Sequence, residues 1–218
     1  MEWPEQKKKN RYLREYDMKI LGITGGVGAG KSTILSYLER QYKARVIQAD
    51  EVGKQLQQPG EGCYDQIVES FGEGILWPDG SICREKLAAE VFSDEEKLSL
   101  LNKIVHPAVK AYIVSEIEKE RGRGMVPFFV IEAALLIEDR YDLVCDEIWY
   151  IHTDAKVRAR RLASSRGYSD EKTKKIMGNQ LDESEYRAKC NFVIDNSSDF
   201  VENTYEQIDK GLREHGFL

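Results

Sequence analysis

A glycine-rich stretch followed by lysine and serine is the part of this sequence best suited to chemistry. Residues 25–32 read GGVGAGKS and match the pattern G-x-x-x-x-G-K-[ST] at every fixed position. Backbone N–H groups can converge on a phosphate only where no Cβ intrudes, and glycine leaves that space open. The pattern therefore predicts a loop that binds the phosphates of a nucleoside triphosphate; the plain alternative is a glycine-rich turn without a ligand.

Each position of this loop has an expected task. Lys31 can reach the β- and γ-phosphates, the Ser32 hydroxyl can bind Mg²⁺, and Thr33 can contact the α-phosphate. The expected nucleotide-binding residues are Gly25, Gly26, Val27, Gly28, Ala29, Gly30, Lys31, Ser32 and Thr33. A dinucleotide fingerprint, G-x-G-x-x-G, fails because Lys31 or Thr33 stands at its last position, which argues against NAD.

The elements that must position this loop predict an α/β fold. Five short apolar runs are typical of strands buried on both faces, at residues 19–24, 44–49, 126–131, 147–152 and 191–194. Helical spacing follows at residues 31–41, 51–58, 63–71, 84–92, 94–121, 154–180 and 199–215. Ser93 is the expected N-cap of the 94–121 helix, and Pro107 predicts a kink or break near His106. Alternating strands and helices indicate a five-stranded parallel sheet.

The spacing of these elements predicts three regions. We expect residues 1–17 to be a flexible leader, and residues 18–60 with 125–218 to be the nucleotide-binding core. The long helical stretch 61–124 exceeds what a crossover between two strands needs, so we expect a helical insertion that forms part of a site.

The composition excludes several classes of protein. The chain has 32 positive and 38 negative residues, a net charge of −6, so we expect neither nucleic acid nor a membrane surface as a partner. No run of residues is apolar over the length of a membrane span, and no signal peptide is recognisable. The four cysteines form no C-x-x-C pair, which argues against zinc and is typical of a cytoplasmic chain with reduced thiols.

A phosphate-binding loop alone leaves the reaction open. A GTPase switch would show Asn-Lys-x-Asp, whereas Asn102-Lys103-Ile104-Val105 lacks the aspartate. An ATP-driven motor would show an apolar strand ending in acid, which Glu132 matches in part. An arginine-rich segment holds Arg158, Arg160, Arg161 and Arg166 in an otherwise acidic chain. Such a segment is typical of a lid that closes over phosphates in a small-molecule kinase, although a solvated helix could share this pattern.

The ordered set of motifs resembles the dephospho-CoA kinase family. The resemblance rests on GITGGVGAGKST at residues 22–33, Gln48-Ala49-Asp50, His106-Pro107, LLIE at residues 135–138 and FVIDN at residues 192–196. It implies a P-loop kinase-like three-layer fold, with a helical part at residues 61–124 that binds the acceptor, dephospho-CoA, and a lid at about residues 155–187. It implies ATP with Mg²⁺ and dephospho-CoA as small-molecule substrates, and no obligate protein partner. The implied reaction phosphorylates the 3′-hydroxyl of the ribose of dephospho-CoA, giving CoA and ADP, the last step of coenzyme A synthesis.

The resemblance also implies roles for single residues. Asp50, Lys31 and Arg161 would be catalytic, with Arg160 and Arg158 as neighbouring candidates for the lid arginine. Asp50, His106, Leu135 and Leu136 would bind the acceptor, while Gln180 and Asp195-Asn196 would lie around the adenine or simply in a surface loop. Asp50 could instead be only the N-cap of the helix at residues 51–58. His106 could instead be a structural histidine that makes a hydrogen bond beside Pro107.

The chain departs from the family pattern at two positions and in one spacing. Gln48 replaces the first aspartate of its Asp-Ala-Asp element, which leaves Asp50 as the only carboxylate there. Ala134 stands where proline is usual, and the arginine spacing at residues 160–172 is about one residue longer than the common form.

Overall fold

The computed structural model describes residues 18–92 and 94–218. The expected leader at residues 1–17 and the expected cap Ser93 lie outside these residues. The strands are β1 (Lys19–Thr24), β2 (Arg45–Gln48), β3 (Phe128–Glu132), β4 (Glu147–His152) and β5 (Phe192–Asp195). The helices are α1 (Lys31–Tyr42), α2 (Ala49–Leu56), α3 (Tyr64–Phe71), α4 (Arg84–Phe92), α5 (Glu95–Arg123), α6 (Ala155–Arg166), α7 (Asp170–Gly178), α8 (Glu183–Lys189) and α9 (Val201–Glu214).

The strands form one parallel sheet in the order β2-β3-β1-β4-β5, which confirms the predicted fold class. β1 lies in the middle and pairs with β3 on one side and β4 on the other. The carboxyl ends of parallel strands meet at one edge of a sheet, where such folds bind ligands. The loop that follows β1 therefore opens at the centre of this edge.

Apolar side chains cover both faces of the sheet. On one face α1 and α9 bury a cluster that comprises Leu21, Ile23, Ile34, Leu35, Leu38, Phe128, Val130, Trp149, Ile151, Ile208 and Leu212. On the other face Tyr150 of β4 stacks on Tyr186 of α8, with ring centroids 4.6 Å apart. Each buried aliphatic or aromatic side chain contributes about 1.5–3 kcal/mol. This two-sided burial explains why the strands are apolar throughout.

The described residues divide into two compact units, residues 47–122 and residues 18–46 with 123–218. The unit at 47–122 is helical, and its core includes Ile67, Ile75, Leu87, Ile113 and Ile117. Gly53 of α2 lies against Val109 of α5, since a Cβ there would be 3.6 Å from Val109 Cγ2. The acceptor-binding role expected for residues 61–124 stays a prediction. No helix within residues 18–92 and 94–218 is both long and apolar enough to cross a membrane.

Three local expectations differ from the structure. A kink or a break is expected near His106, and the break is absent, because α5 continues through Pro107 from Glu95 to Arg123. Proline removes only one helical hydrogen bond, and Val109, Ile113 and Ile117 bury one side of the second half at four-residue spacing.

The helix expected over residues 154–180 is two helices. Gly167 adopts a positive φ of 63° and ends α6, and the Ser169 side chain then caps α7 by accepting from Lys172 N. The helix expected at residues 51–58 begins at Ala49, with Gln48 as its N-cap residue. Asp50 therefore lies inside the first turn of α2 and is not its N-cap.

Candidate active site

The glycine-rich loop connects the end of β1 to the start of α1. Its residues Gly25, Gly28 and Gly30 have φ values of 150°, 80° and 88°, a range that L side chains rarely adopt. Gly30 is the residue before α1 and offers no side-chain cap. The first N–H groups of a helix lack partners within the helix, so the N-terminus of α1 is suited to bind an anion.

Two of the glycines are also required by close neighbours. A Cβ on Gly26 would lie 2.3 Å from Arg158 Nη2, and a Cβ on Gly30 would lie 2.3 Å from Asn196 Nδ2. Both distances are too short for real atoms. Glycine at these positions therefore lets side chains from α6 and from the end of β5 approach the loop backbone.

Side chains also fix the carbonyl groups of the loop. Asn196 Nδ2 and Thr153 Oγ1 donate to Ala29 O at 2.7 and 3.0 Å. The Asn196 amide oxygen accepts from Thr204 Oγ1 at 2.8 Å, and all three side chains are buried. The peptide between Ala29 and Gly30 is consequently fixed by two side-chain hydrogen bonds to its carbonyl oxygen, which preorganises the loop.

Lys31 lies at the first position of α1 and points back along the loop. Its Nζ donates to Gly25 O at 2.6 Å and lies 3.5 Å from Glu132 Oε1, and both side chains are largely buried. Glu132 is the last residue of β3, and the parallel pairing places it opposite Ile23. The lysine ammonium is thus held at the mouth of the loop, while Ser32 and Thr33 are exposed in the same turn.

Two of the four candidate arginines face the loop. Arg161 Nη2 donates to Ser198 O at 3.3 Å, whereas its Nη1 is buried without a hydrogen-bond partner in the described part of the chain. A Cβ on Gly30 would lie 3.4 Å from that Nη1. Arg158 lies across Gly26, and burial lowers the pKa of its guanidinium while the nearby Tyr150 and Tyr186 raise it.

The other two arginines point elsewhere. Arg160 is exposed and forms an ion pair with Asp199, and Arg166 is exposed near the ring of Tyr168. The structure therefore distinguishes Arg158 and Arg161 from Arg160 and Arg166 by their positions. The closing of a lid over a nucleotide stays a prediction.

These residues fit a nucleoside triphosphate. A buried guanidinium nitrogen without a partner costs free energy unless a ligand satisfies it, and Arg161 Nη1 lies beside the start of α1. Lys31, Arg158 and Arg161 add three positive charges around a loop of backbone donors. This donor set matches a polyphosphate.

The predicted acceptor residues have separate settings. Asp50 is exposed in the first turn of α2. His106 is partly buried on α5 and lines a cavity of about 420 Å³ with Lys103 and Pro107. Leu135 is 47% exposed in the turn after β3, whereas Leu136 is fully buried beside Gly22. Only Leu135 of that pair exposes its side chain at the surface.

Sequence reasoning missed several parts of the site. Glu132 entered only as a partial match to a motor ATPase, although an acidic residue ending an apolar strand is a recognisable signal. Thr153 and the pairing of Gln180 with Val27 had no local signal, because contacts across more than a hundred residues make them. Asn196 is expected around the adenine, which stays a prediction; its contact with the Ala29 carbonyl has no signal in the sequence.

Fold and loop together define a protein with a P-loop kinase-like fold. A shikimate kinase from Acinetobacter baumannii has a TM-score of 0.51 at 13% identity, and the match covers 92% of this chain and 96% of that one. A dephospho-CoA kinase from Campylobacter jejuni has a TM-score of 0.65 at 21% identity, and the match covers 90% of this chain and 98% of that one. At these identities the likeness supports the fold alone. The structure of the Thermus thermophilus protein TT1252 has a TM-score of 0.78 at 27% identity, covering 91% of this chain and 97% of that one.

Sequence comparison is more specific. The family model for dephospho-CoA kinase matches residues 19–202. A dephospho-CoA kinase from Symbiobacterium thermophilum is 36% identical over 196 residues, covering 90% of this chain and 81% of the relative. One from Shouchella clausii is 35% identical over 188 residues, covering 86% and 94%. This chain belongs to the dephospho-CoA kinase family and is an ATP-dependent kinase.

Proposed function

We propose that this chain transfers the γ-phosphoryl group of ATP to the 3′-hydroxyl of the ribose of dephospho-CoA, giving CoA and ADP. The family match over residues 19–202 is the observation that carries the proposal. In this reaction the acceptor oxygen forms a bond to the γ-phosphorus, the bond from the γ-phosphorus to the β–γ bridging oxygen breaks, and the hydroxyl proton passes to a base. The protein must therefore bind polyphosphate, stabilise moving negative charge and accept a proton.

Lys31 and Arg161 serve the ATP side of the proposal. Lys31 Nζ, held by Gly25 O and Glu132, would neutralise charge that develops on the β–γ bridging oxygen. Arg161 would supply its buried Nη1 to a phosphate oxygen beside Gly30. Ser32 would hold Mg²⁺, which would neutralise part of the phosphate charge and so lower the repulsion toward the acceptor.

Asp50, His106, Leu135 and Leu136 serve the acceptor side. Asp50 would orient the ribose hydroxyl and accept its proton, because an exposed carboxylate is available for such contact. His106 and the exposed Leu135 would contact the acceptor, with Leu136 supporting that wall from the core. We place the reaction in the cytoplasm, which the thiols of Cys63, Cys83 and Cys190 support because they form no disulfide and thiols stay reduced there.

An ADP-release assay with several acceptors tests the reaction. ATP with Mg²⁺ would be supplied with dephospho-CoA, shikimate or nucleoside monophosphates, and the product examined by phosphorus NMR. We expect turnover only with dephospho-CoA and a new 3′-phosphate. Turnover with shikimate alone, or GTP hydrolysis that needs no acceptor, would replace the proposal with another kinase or a switch.

Asp50→Asn tests the proposed base. Asparagine keeps the shape of the side chain but cannot accept the proton, so kcat should fall by about 10² or more with ATP affinity unchanged. Glu51→Gln is the matched control, because it removes the same charge from the same turn of α2. We expect that control to retain its activity. If the two variants have the same kcat, the base lies elsewhere, and the Asp50 carboxylate only interacts favourably with the positive N-terminal end of α2.

A further inference from the structure

Both polar backbone groups of Val27, the third residue of the loop, are bound by one pair of side chains. The Val27 N–H donates to Gln180 Oε1 at 3.3 Å, and Arg158 Nε donates to Val27 O at 2.9 Å. Arg158 Nη2 also donates to Gln180 Oε1. The three residues therefore close a ring of hydrogen bonds around the Val27 peptide groups. We call this the Val27 clamp.

The geometry of the loop is adapted to the clamp. The Arg158 guanidinium lies close to Gly26, where a Cβ would be 2.5 Å from its Cζ. A Cβ on Gly28 would lie 2.9 Å from Leu162 Cγ and 3.2 Å from Arg158 O, so α6 itself presses on the next glycine. Gly26 and Gly28 thus permit α6 and its arginine to approach on either side of Val27.

Aromatic and apolar residues lie near the two side chains of the clamp. Arg158 lies near the stacked rings of Tyr150 and Tyr186, both of which influence its pKa. Leu181, the neighbour of Gln180, packs against that aromatic pair. The salt bridges among the described residues give Arg158 no carboxylate partner, so its hydrogen bonds to Val27 O and to Gln180 Oε1 are its polar anchors. A guanidinium makes both bonds with one planar group, which an ammonium cannot do.

We propose that Arg158 and Gln180 are positioning residues that hold the phosphate-binding loop in its nucleotide-binding shape through Val27. The inference rests on the loop binding ATP, as proposed above. It differs from a lid arginine that contacts phosphate, because here the arginine acts on the loop backbone and the glutamine is its obligatory partner. Loss of either residue would let the loop sample other shapes, so affinity for nucleotide would fall.

Calorimetric titration of ATP and ADP tests the clamp without any acceptor. Arg158→Lys keeps the positive charge but loses the two-pronged contact, and Gln180→Met keeps the length but loses the shared acceptor. We expect each variant to weaken ADP binding about tenfold, the equivalent of about one hydrogen bond. The double variant should be little weaker than either single variant, because both break one ring. Lys156→Met, an exposed cation of the same helix, is the matched control and should bind ADP as the wild type does.

Steady-state kinetics supply a second readout. We expect the KM for ATP to rise in both variants and the KM for dephospho-CoA to stay within about twofold, while melting temperatures without ligand change little. If Arg158→Lys binds ADP as the wild type does, the positive charge of residue 158 is sufficient and its two hydrogen bonds are not needed. If the losses of ADP affinity in the two single variants add up in the double variant, Arg158 and Gln180 make two independent contacts. Either result overturns the clamp. If Arg158→Lys does not fold, unaltered affinity in Gln180→Met overturns it alone. Failure of the wild type to bind ATP would refute the proposed function as well, whereas failure of the variants alone leaves that function standing.

Discussion

Single residues of the site carry stability as well as chemistry. Lys31 and Glu132 are both largely buried, so removing the lysine leaves a carboxylate short of one positive partner. We expect Lys31→Ala to lower kcat by about 10² or more and also to lower the melting temperature. Adding Glu132→Gln should restore much of that melting temperature without restoring kcat. Thermal unfolding and the ADP-release assay, applied to the single and double variants, check both parts.

A different result would change the interpretation of the pair. Full activity in a folded Lys31→Ala variant would mean that the loop is not where ATP reacts. An unchanged melting temperature in that variant would mean that solvent satisfies the buried carboxylate of Glu132 without the lysine. The two readouts separate the chemical task of Lys31 from its structural one.

Hydrogen bonds and stacked rings hold α9 against α1. Tyr37 and Tyr42 of α1 both donate to Asp209 Oδ1 of α9, at 2.8 and 2.6 Å, and Tyr37 stacks on Tyr205 with ring centroids 3.8 Å apart. Tyr42→Phe removes one of these hydrogen bonds and keeps the ring. We expect it to lower the free energy of unfolding by about 1 kcal/mol, measured in guanidinium chloride. Its ATP affinity should be unchanged, because Tyr42 ends α1 far along the helix from Lys31; a loss of ATP affinity would instead indicate that α9 docking shapes the loop.

Elements with strong local signals could be predicted from the sequence. All five strands lie where apolar runs occur, and the third begins at Phe128 because Pro127 has no N–H for the ladder. The split of α6 from α7 could have been predicted from Gly167 and Ser169, which together end one helix and cap the next. The continuity of α5 through Pro107 could not, because it depends on tertiary burial of Val109, Ile113 and Ile117.

The site divides in the same way. The loop and Lys31 follow from a motif of eight adjacent residues, as the structure places them at the end of β1. The pairing of Lys31 with Glu132 depends on the register of β1 against β3, and the Val27 clamp depends on residues from α6 and from the turn before α8. Such contacts between distant segments have no spacing that a single sequence reveals.

Stability at high pH is a property of the whole molecule. Burial raises the pKa of Cys190 and of Tyr186 to about 12, and burial with the Asp209 hydrogen bond raises that of Tyr42 to about 12. In an unfolded chain these groups lose protons near pH 8.5 for cysteine and about pH 10 for tyrosine. The folded state therefore binds more protons in this window, so stability is intact below about pH 8.5 and falls as the pH rises toward 12.

Cys190→Ala tests this pH dependence. We expect the free energy of unfolding of the wild type to be level between pH 7 and about pH 8 and to decline above that. The variant should decline less steeply between about pH 9 and pH 11, since it lacks one of the protons that the unfolded state releases. Equal slopes for the two proteins would mean that the folded Cys190 thiol ionises as readily as the unfolded one.

The central position of β1 has a consequence for synthesis of the protein. β1 and the glycine-rich loop are synthesised before their partner strands β3 and β4, which come more than a hundred residues later. At about 5–20 residues per second, several seconds pass before β1 has a neighbour on either side. The loop also needs Asn196 against Ala29, so its shape is completed later still. We therefore expect nucleotide to stabilise only nascent chains that have been synthesised past Asn196, because shorter chains lack the side chain that holds the Ala29 carbonyl.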